Sequence, residues 1–244
     1  MTRQKTNNDH EKEKKQPESD EDSVRISRFL SKAGLCSRRA AKEFIEKNKV
    51  YADGKLITEP GVIVSKESEL KVNENSYSWE DKRIIYILNK PEGYVCSHKS
   101  HKMQPSIFSL LPKNLSSLFF AGRLDKDSCG LVLLSNDGDL IFNLTHPSKN
   151  VQKKYIVHAS RPLSDLEKNK AIKGVFDNNE KLKFDKIIPL KNAAHYEIIL
   201  HTGRNREIRR ILQKFGIKPL KLKRIELGSY KLDGLPEGKY LEIK

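Results

Sequence analysis

Apolar residues are missing from the first 22 positions apart from Met1, and then settle into helical spacing. Ile26, Phe29, Leu30 and Ala33 fall at i, i+3, i+4 and i+7, one face of a helix, and Gly34 stands where that helix would stop. Ser37 can cap a second helix whose apolar face is Ala40, Ala41, Phe44 and Ile45. The period then shortens. Val50-Tyr51-Ala52 and Lys55-Leu56-Ile57 flank Asp53-Gly54, a hairpin-turn pair. Pro60-Gly61 marks another turn, and residues 69–72 predict a last strand.

Beyond Trp79 the pattern becomes one of buried strands. Residues 84–88 and 131–135 read as buried strands, and strands recur at 154–159, 184–190 and 195–201. Asn136-Asp137-Gly138 is a turn or cap, followed by a short helix over 139–146 that stops before Pro147. Ile208, Ile211, Leu212 and Phe215 predict a helix over 206–215, with Asn205 as its cap and Gly216 as its stop. Many strands with few helices predict an α+β domain around one large sheet. The chain therefore divides into a disordered charged tail over 1–22, a small domain over 23–73 and a larger one over 80–244.

Charge narrows the class of partner. The 244 residues hold 47 Lys and Arg against 32 Asp and Glu, a net +15. The tail is slightly acidic, so the excess belongs to the remainder and points to a polyanion. No run of 18 apolar residues exists and the N-terminus has no apolar signal core, so neither membrane nor secretion is expected. Cys36, Cys96 and Cys129 are scattered, which fits a reducing cytoplasm. Cys96, His98 and His101 sit close together, but no partner motif accompanies them and a polar loop is expected, with no metal.

On the first helix Arg25, Arg28 and Lys32 share a side, and Arg38, Arg39 and Lys42 open the second. Acids are scarce there until Glu43, which favours an RNA-contacting face over a merely solvated one. The run Arg25-Ile-Ser-Arg-Phe-Leu-Ser-Lys-Ala-Gly-Leu-Cys-Ser-Arg-Arg-Ala-Ala, then Val50-Tyr-Ala-Asp-Gly-Lys, resembles the alpha-L RNA-binding domain, the type named after the fourth small-subunit ribosomal protein. That resemblance implies only that structured RNA is bound.

Two segments could carry chemistry. No P-loop, dinucleotide fingerprint, nucleophile elbow or H-E-x-x-H occurs, so reactive groups must be plain side chains. In Ala121-Gly-Arg-Leu-Asp-Lys-Asp-Ser-Cys-Gly-Leu, a Gly-flanked loop leads into a strand with Asp125 between basic residues. Loops at strand ends often carry reactive groups, although a turn closed by Asp side chains explains the same residues. From Gly203 to Arg224 nine Lys or Arg accompany one acid, Glu207, and guanidinium forks suit phosphates and carboxylates.

Together these pieces resemble the RsuA/RluB family of pseudouridine synthases. The matching stretches are Leu88-Asn-Lys-Pro-Glu-Gly-Tyr, Gly122-Arg-Leu-Asp-Lys-Asp-Ser-Cys-Gly-Leu, Ser135-Asn-Asp-Gly-Asp-Leu, Thr145-His-Pro-Ser, Lys153-Lys-Tyr and Gly203-Arg-Asn-Arg-Glu-Ile-Arg-Arg, with Glu207 where Gln is usual. The resemblance implies a catalytic domain on a mixed, mainly antiparallel sheet. It makes Asp125 the catalytic carboxylate, Tyr155 the residue under the uracil ring and Arg209 the partner of Asp125. Arg123 would evict the target nucleotide, while Arg204, Arg206 and Arg210 would contact RNA. Asp127 is expected to face away from Asp125. The implied reaction needs no cofactor, and the implied partner is ribosomal RNA or a pre-ribosomal particle, large-subunit RNA ahead of small-subunit RNA. A monomer is expected. The rival readings are a non-catalytic RNA-binding or ribosome-assembly factor, which explains the charge but not the acid among basic motifs, and a DNA-binding regulator, which would need a recognition helix and a dimer seam.

Overall fold

The computed structural model describes residues 22–79, 83–98 and 104–243. The expected tail, apart from Asp22, lies outside them. The chain forms two units, Met1–Glu80 and Asp81–Lys244.

In the first unit, β1 (Ser23–Arg25) leads directly into α1 (Ile26–Lys32), and α2 spans Ala41–Lys47. Ile26, Phe29 and Leu30 are fully buried, as their helical spacing requires, and pack with Ala41, Ile45, Val50, Leu70 and Val72. The second helix starts later than expected. Ser37 Oγ accepts from Ala40 N at 3.2 Å and closes a turn before the helix. Arg38 and Arg39 therefore sit in that turn, and only Lys42 lies on α2. Next come β2 (Val50–Ala52) and β3 (Lys55–Leu56), joined by Asp53 and Gly54 at φ 48° and 74°, the left-handed pair that an Asp-Gly hairpin adopts. Then follow β4 (Ile63–Ser65), β5 (Leu70–Val72) and β6 (Asn75–Tyr77). The sheet order is β3-β2-β5-β6, while β1 pairs with β4.

The second unit is built on a nine-stranded sheet. Its elements are β7 (Ile85–Lys90), β8 (Phe119–Ala121), β9 (Cys129–Ser135), α3 (Gly138–Thr145), β10 (Lys153–Ala159), α4 (Asp165–Lys173), β11 (Val175–Asp177), β12 (Glu180–Leu182), β13 (Lys186–Pro189), β14 (His195–Leu200), α5 (Glu207–Gln213), β15 (Pro219–Leu227), β16 (Tyr230–Lys231) and β17 (Tyr240–Ile243). The order β13-β14-β10-β15-β9-β7-β17 is antiparallel except between β15 and β9. This is the α+β architecture on a mixed, mainly antiparallel sheet that the sequence implies. Strand β11 pairs with β12 as a separate hairpin.

Central β9 explains its own apolar run. Every residue of it is buried, because both sheet faces are covered. Val132 and Leu134 join one core with Tyr155, Phe184, Ile208 and Ile211, whereas Leu131 and Leu133 join the other with Leu144 and Leu227. Asp137 caps α3 by accepting from Asp139 N and Leu140 N at 2.9 and 3.1 Å. Among the described residues no helix is long and apolar enough to cross a membrane.

Candidate active site

Strands β8 and β9 pair antiparallel, so residues 122–128 form a loop at their end. Glycines fix both ends of this loop. Gly122 has φ 69°, and a Cβ on it would lie 2.7 Å from the Arg224 guanidinium. Gly130 has φ 109°, and a Cβ there would lie 2.2 Å from the Arg224 carbonyl oxygen, where β15 runs beside β9. Neither position has room for a side chain.

Inside the loop, backbone groups are held from several directions. Gly93 N donates to Lys126 O at 2.8 Å, and Ser128 N to Asp125 O at 3.1 Å. Leu124 N donates to Cys96 Sγ at 3.4 Å. Lys90, at the end of β7, is fully buried and donates Nζ to the carbonyls of Ser128 and Pro91. Burial pushes its ammonium pKa down from the usual range, and nearby anionic groups oppose that only partly. So held, Asp125 keeps a side chain 32 % exposed, with Oδ2 3.5 Å from Arg206 Nη1.

The arginines come from α5 and the turn before it. Arg206 is its N-cap residue, in the left-handed region at φ 49°, ψ 30°, and the expected Asn205 cap does not form. Arg206 reaches Asp127 with both terminal nitrogens, at 3.2 and 3.1 Å. Arg209 donates Nη2 to Asp127 O and, at 3.1 Å, to Ser128 Oγ, and its Nη1 lies 3.4 Å from the Asp127 carboxylate. Two expectations need correction. Arg209 pairs with Asp127 rather than Asp125, and Asp127 does not face away but anchors both arginines. Partial burial raises the Asp127 pKa, but the Arg206 hydrogen bond and both arginine charges outweigh it and hold the carboxyl below its usual range.

Tyr155 lies on β10, buried, with Ile198 as its neighbour on β14 and Arg224 on β15. Two residues before it, Lys153 is buried and donates to Val151 O and His201 O at 2.9 and 3.1 Å. Glu207, also buried, accepts from Thr202 Oγ1 at 2.8 and 2.9 Å and from Arg204 N at 3.1 Å. Burial raises its carboxyl pKa despite those bonds. Its carboxylate thus braces the entry to α5.

Of the remaining expected residues, Arg123 is exposed beside Asp125, and Arg204 donates Nη1 to Lys181 O at 2.9 Å. Arg210 is corrected. It binds Asp177 through Nε and Glu180 through Nη1, at 2.6 and 2.7 Å, so it clamps the β11–β12 hairpin to α5. In the first unit Arg25 lies on β1, and Arg28 and Lys32 on α1 both reach over the Trp79 ring, 5.8 Å from its centre. His98 stacks on Phe108 at 4.3 Å, and His101 lies outside the described residues. Lys90, Lys153 and Arg224 belong to the site although chemistry was not expected of them.

A partly exposed carboxylate 3.5 Å from one guanidinium and rooted in a glycine-fixed loop can attack or stabilise an electrophilic carbon. The family model described as RNA pseudouridylate synthase matches residues 84–214, more than half the chain. The chain belongs to the RNA pseudouridylate synthase family. An S4 domain precedes it over residues 24–70. An RNA pseudouridine synthase of Rickettsia felis is 36 % identical, covering 90 % of this chain and 96 % of the relative. The ribosomal large subunit pseudouridine synthase B of Bacillus subtilis is 31 % identical over 90 % and 91 % of the two chains. A crystal structure of a pseudouridylate synthase superposes with a TM-score of 0.64 at 26 % identity, covering 91 % of this chain and 96 % of that one. The pseudouridine synthase is thus an isomerase, with its RNA-binding S4 domain at the N-terminal side.

Proposed function

We propose that this pseudouridine synthase isomerises one uridine in ribosomal RNA, in large-subunit rather than small-subunit RNA, with Asp125 as its catalytic carboxylate. The observation that carries this is the placement of Asp125: a partly exposed carboxylate that meets Arg206 at 3.5 Å, while Lys90, Arg209 and Arg224 donate to backbone carbonyls along its loop and Asp127 takes the closer contacts of Arg206 and Arg209. Support for the substrate comes from relatives. The Bacillus subtilis enzyme is named for the large ribosomal subunit, as is a chloroplastic protein of Arabidopsis thaliana that is 33 % identical over 90 % of this chain and 58 % of that protein. On this reading the segment 23–73 supplies affinity for RNA or a pre-ribosomal particle, 80–244 supplies the chemistry, and both work in the cytoplasm.

The reaction moves a glycosidic bond within one nucleotide. The bond from ribose C1′ to N1 breaks, the uracil turns, C1′ bonds to C5, the C5 proton leaves, and N1 takes up a proton in its place. Atoms and electrons balance without a cofactor. Asp125 either attacks C1′ or stabilises a glycal-type intermediate, and both routes start from the ionised carboxylate. Tyr155 lies under the uracil and assists loss of the C5 proton. Extruding the base costs a few kcal/mol, and the exposed Arg123 beside Asp125 is suited to fill the vacated stack. Arg206 and Arg209 place two guanidinium groups beside the loop, paired with Asp125 and Asp127.

Tritium release from RNA labelled at uracil C5 tests the assignment. Asp125→Asn should abolish release while RNA binding persists. Asp137→Asn should retain it, since that carboxylate caps α3. Appreciable turnover by Asp125→Asn would overturn the proposal.

A further inference from the structure

Among the described residues Arg224 is the largest fully buried side chain, 1 % exposed, and it lies on no motif assigned to the reaction. Burying a guanidinium costs several kcal/mol unless its donors are satisfied. Here it makes no ion pair with a carboxylate among the described residues; it bonds to backbone instead. Nε and Nη2 both donate to Leu131 O, at 2.8 and 2.6 Å, and Nη2 also donates to Gly122 O at 2.8 Å. Gly122 opens the loop that holds Asp125, and Leu131 lies just past its end. One planar fork therefore pins both ends of that loop.

The backbone of Arg224 does a second job. It is the register partner of Gly130 on β9 and, on the other side, of Tyr155 on β10, where an irregularity between Lys154 and Tyr155 shifts the pairing. The same residue thus touches the loop of one proposed catalytic group and the strand of the other. Gly122 and Gly130 are shaped around it, one by the guanidinium and one by its carbonyl. A lysine could carry the same charge, but its single ammonium lacks the rigid fork that reaches both carbonyls.

We propose that Arg224 is a positioning residue that sets the spacing between Asp125 and Tyr155. This rests on the catalytic roles proposed above. Misplacing a reacting group by about 1 Å can cost on the order of 100-fold in rate. Arg224→Lys should therefore lower the single-turnover rate by about 100-fold at saturating enzyme, while the Kd for the same RNA stays within about twofold. Gly122→Ala approaches the contact from the other side: its methyl displaces the guanidinium, and kcat should fall with KM unchanged.

The experiment uses full-length protein and a ribosomal RNA transcript, with each variant assayed well below its own melting temperature. Melting curves separate loss of fold from loss of alignment. Arg224→Lys that melts lower yet turns over at the wild-type rate per folded molecule would show a purely structural role and refute the proposal. A loss that appears only in Kd would refute it as well. Asp125→Asn runs in parallel: turnover in that variant overturns the catalytic reading itself, whereas a dead Asp125→Asn beside a fully active Arg224→Lys overturns only this inference.

Discussion

Replacing Arg209 by Ala separates two ways in which an arginine can serve this loop. Were Arg209 a buried partner of a carboxylate, its loss would cost about 3–5 kcal/mol, because a lone charge would remain. The geometry argues for less. The Arg209 side chain is 13 % exposed, but the Asp127 side chain facing it is 48 % exposed, so water screens that pair. An ion pair of this kind contributes about 0.2–1 kcal/mol. The stronger contacts are those to Asp127 O and Ser128 Oγ; a hydrogen bond from a charged donor contributes about 1.5–3 kcal/mol net, and these two, one exposed and one partly buried, lie at or below the low end of that range. Arg209→Ala should thus destabilise by about 2–3 kcal/mol, and Asp127→Asn by about 1 kcal/mol or less. Thermal melts of the two single variants and the double variant give the coupling energy, expected at about 0.5–1 kcal/mol. Single-turnover rates should fall in Arg209→Ala far more than in Asp127→Asn. A coupling near 3 kcal/mol, with both single variants equally damaged, would refute the view that Arg209 acts mainly by gripping backbone.

Two further outcomes are expected. Arg210→Ala should lower the melting temperature by freeing the β11–β12 hairpin from α5, with RNA affinity within about twofold; unchanged melting with weaker RNA binding would return Arg210 to the RNA interface. Glu167 takes hydrogen bonds from Arg161 and from Ser164 N, which lower its carboxyl pKa from 4.5 to about 2. A lowered folded pKa gives stability that is present above 4.5 and lost as the pH falls towards 2. The melting-temperature gap between wild type and Glu167→Gln should therefore close over that window, and a gap that stays constant with pH would sink this reasoning.

What could be read from sequence was whatever repeats locally. The i, i+3, i+4, i+7 face of α1 and the Asp53-Gly54 hairpin depend on neighbours within a few residues, and both appear as expected. Strand β15 was missed because its inward positions include Arg224, so its burial does not show as apolar alternation. Helix α4 was missed for a related reason: only Ala171 on it is buried, although Ser164 and Glu167 form a complete capping box. Within the site, the glycines and Asp125 stood out as a segment, but the partner of each arginine did not. One acid among nine bases leaves out Asp127 and Asp177, which lie earlier in the chain and reach α5 from the loop before β9 and from the separate β11–β12 hairpin. Charge pairing across such distances is a property of topology, which residue spacing does not encode.

Topology also explains why so many cations can surround one acid without silencing it. An arginine or lysine aimed straight at Asp125 would stabilise the carboxylate but also occupy the oxygens that the proposed reaction brings to the ribose. Here the cations end on main-chain carbonyls instead: Lys90 on Ser128, Arg209 on Asp127, Arg224 on Gly122 and Leu131. Each contact fixes the path of the loop and leaves positive charge nearby. Asp127 then draws off Arg206 and Arg209 as a second acid, so that among the described residues Asp125 meets a cation at the long distance of 3.5 Å. Cations held on backbone fix the path of the loop, and the Asp125 carboxylate, 32 % exposed, stays accessible between them.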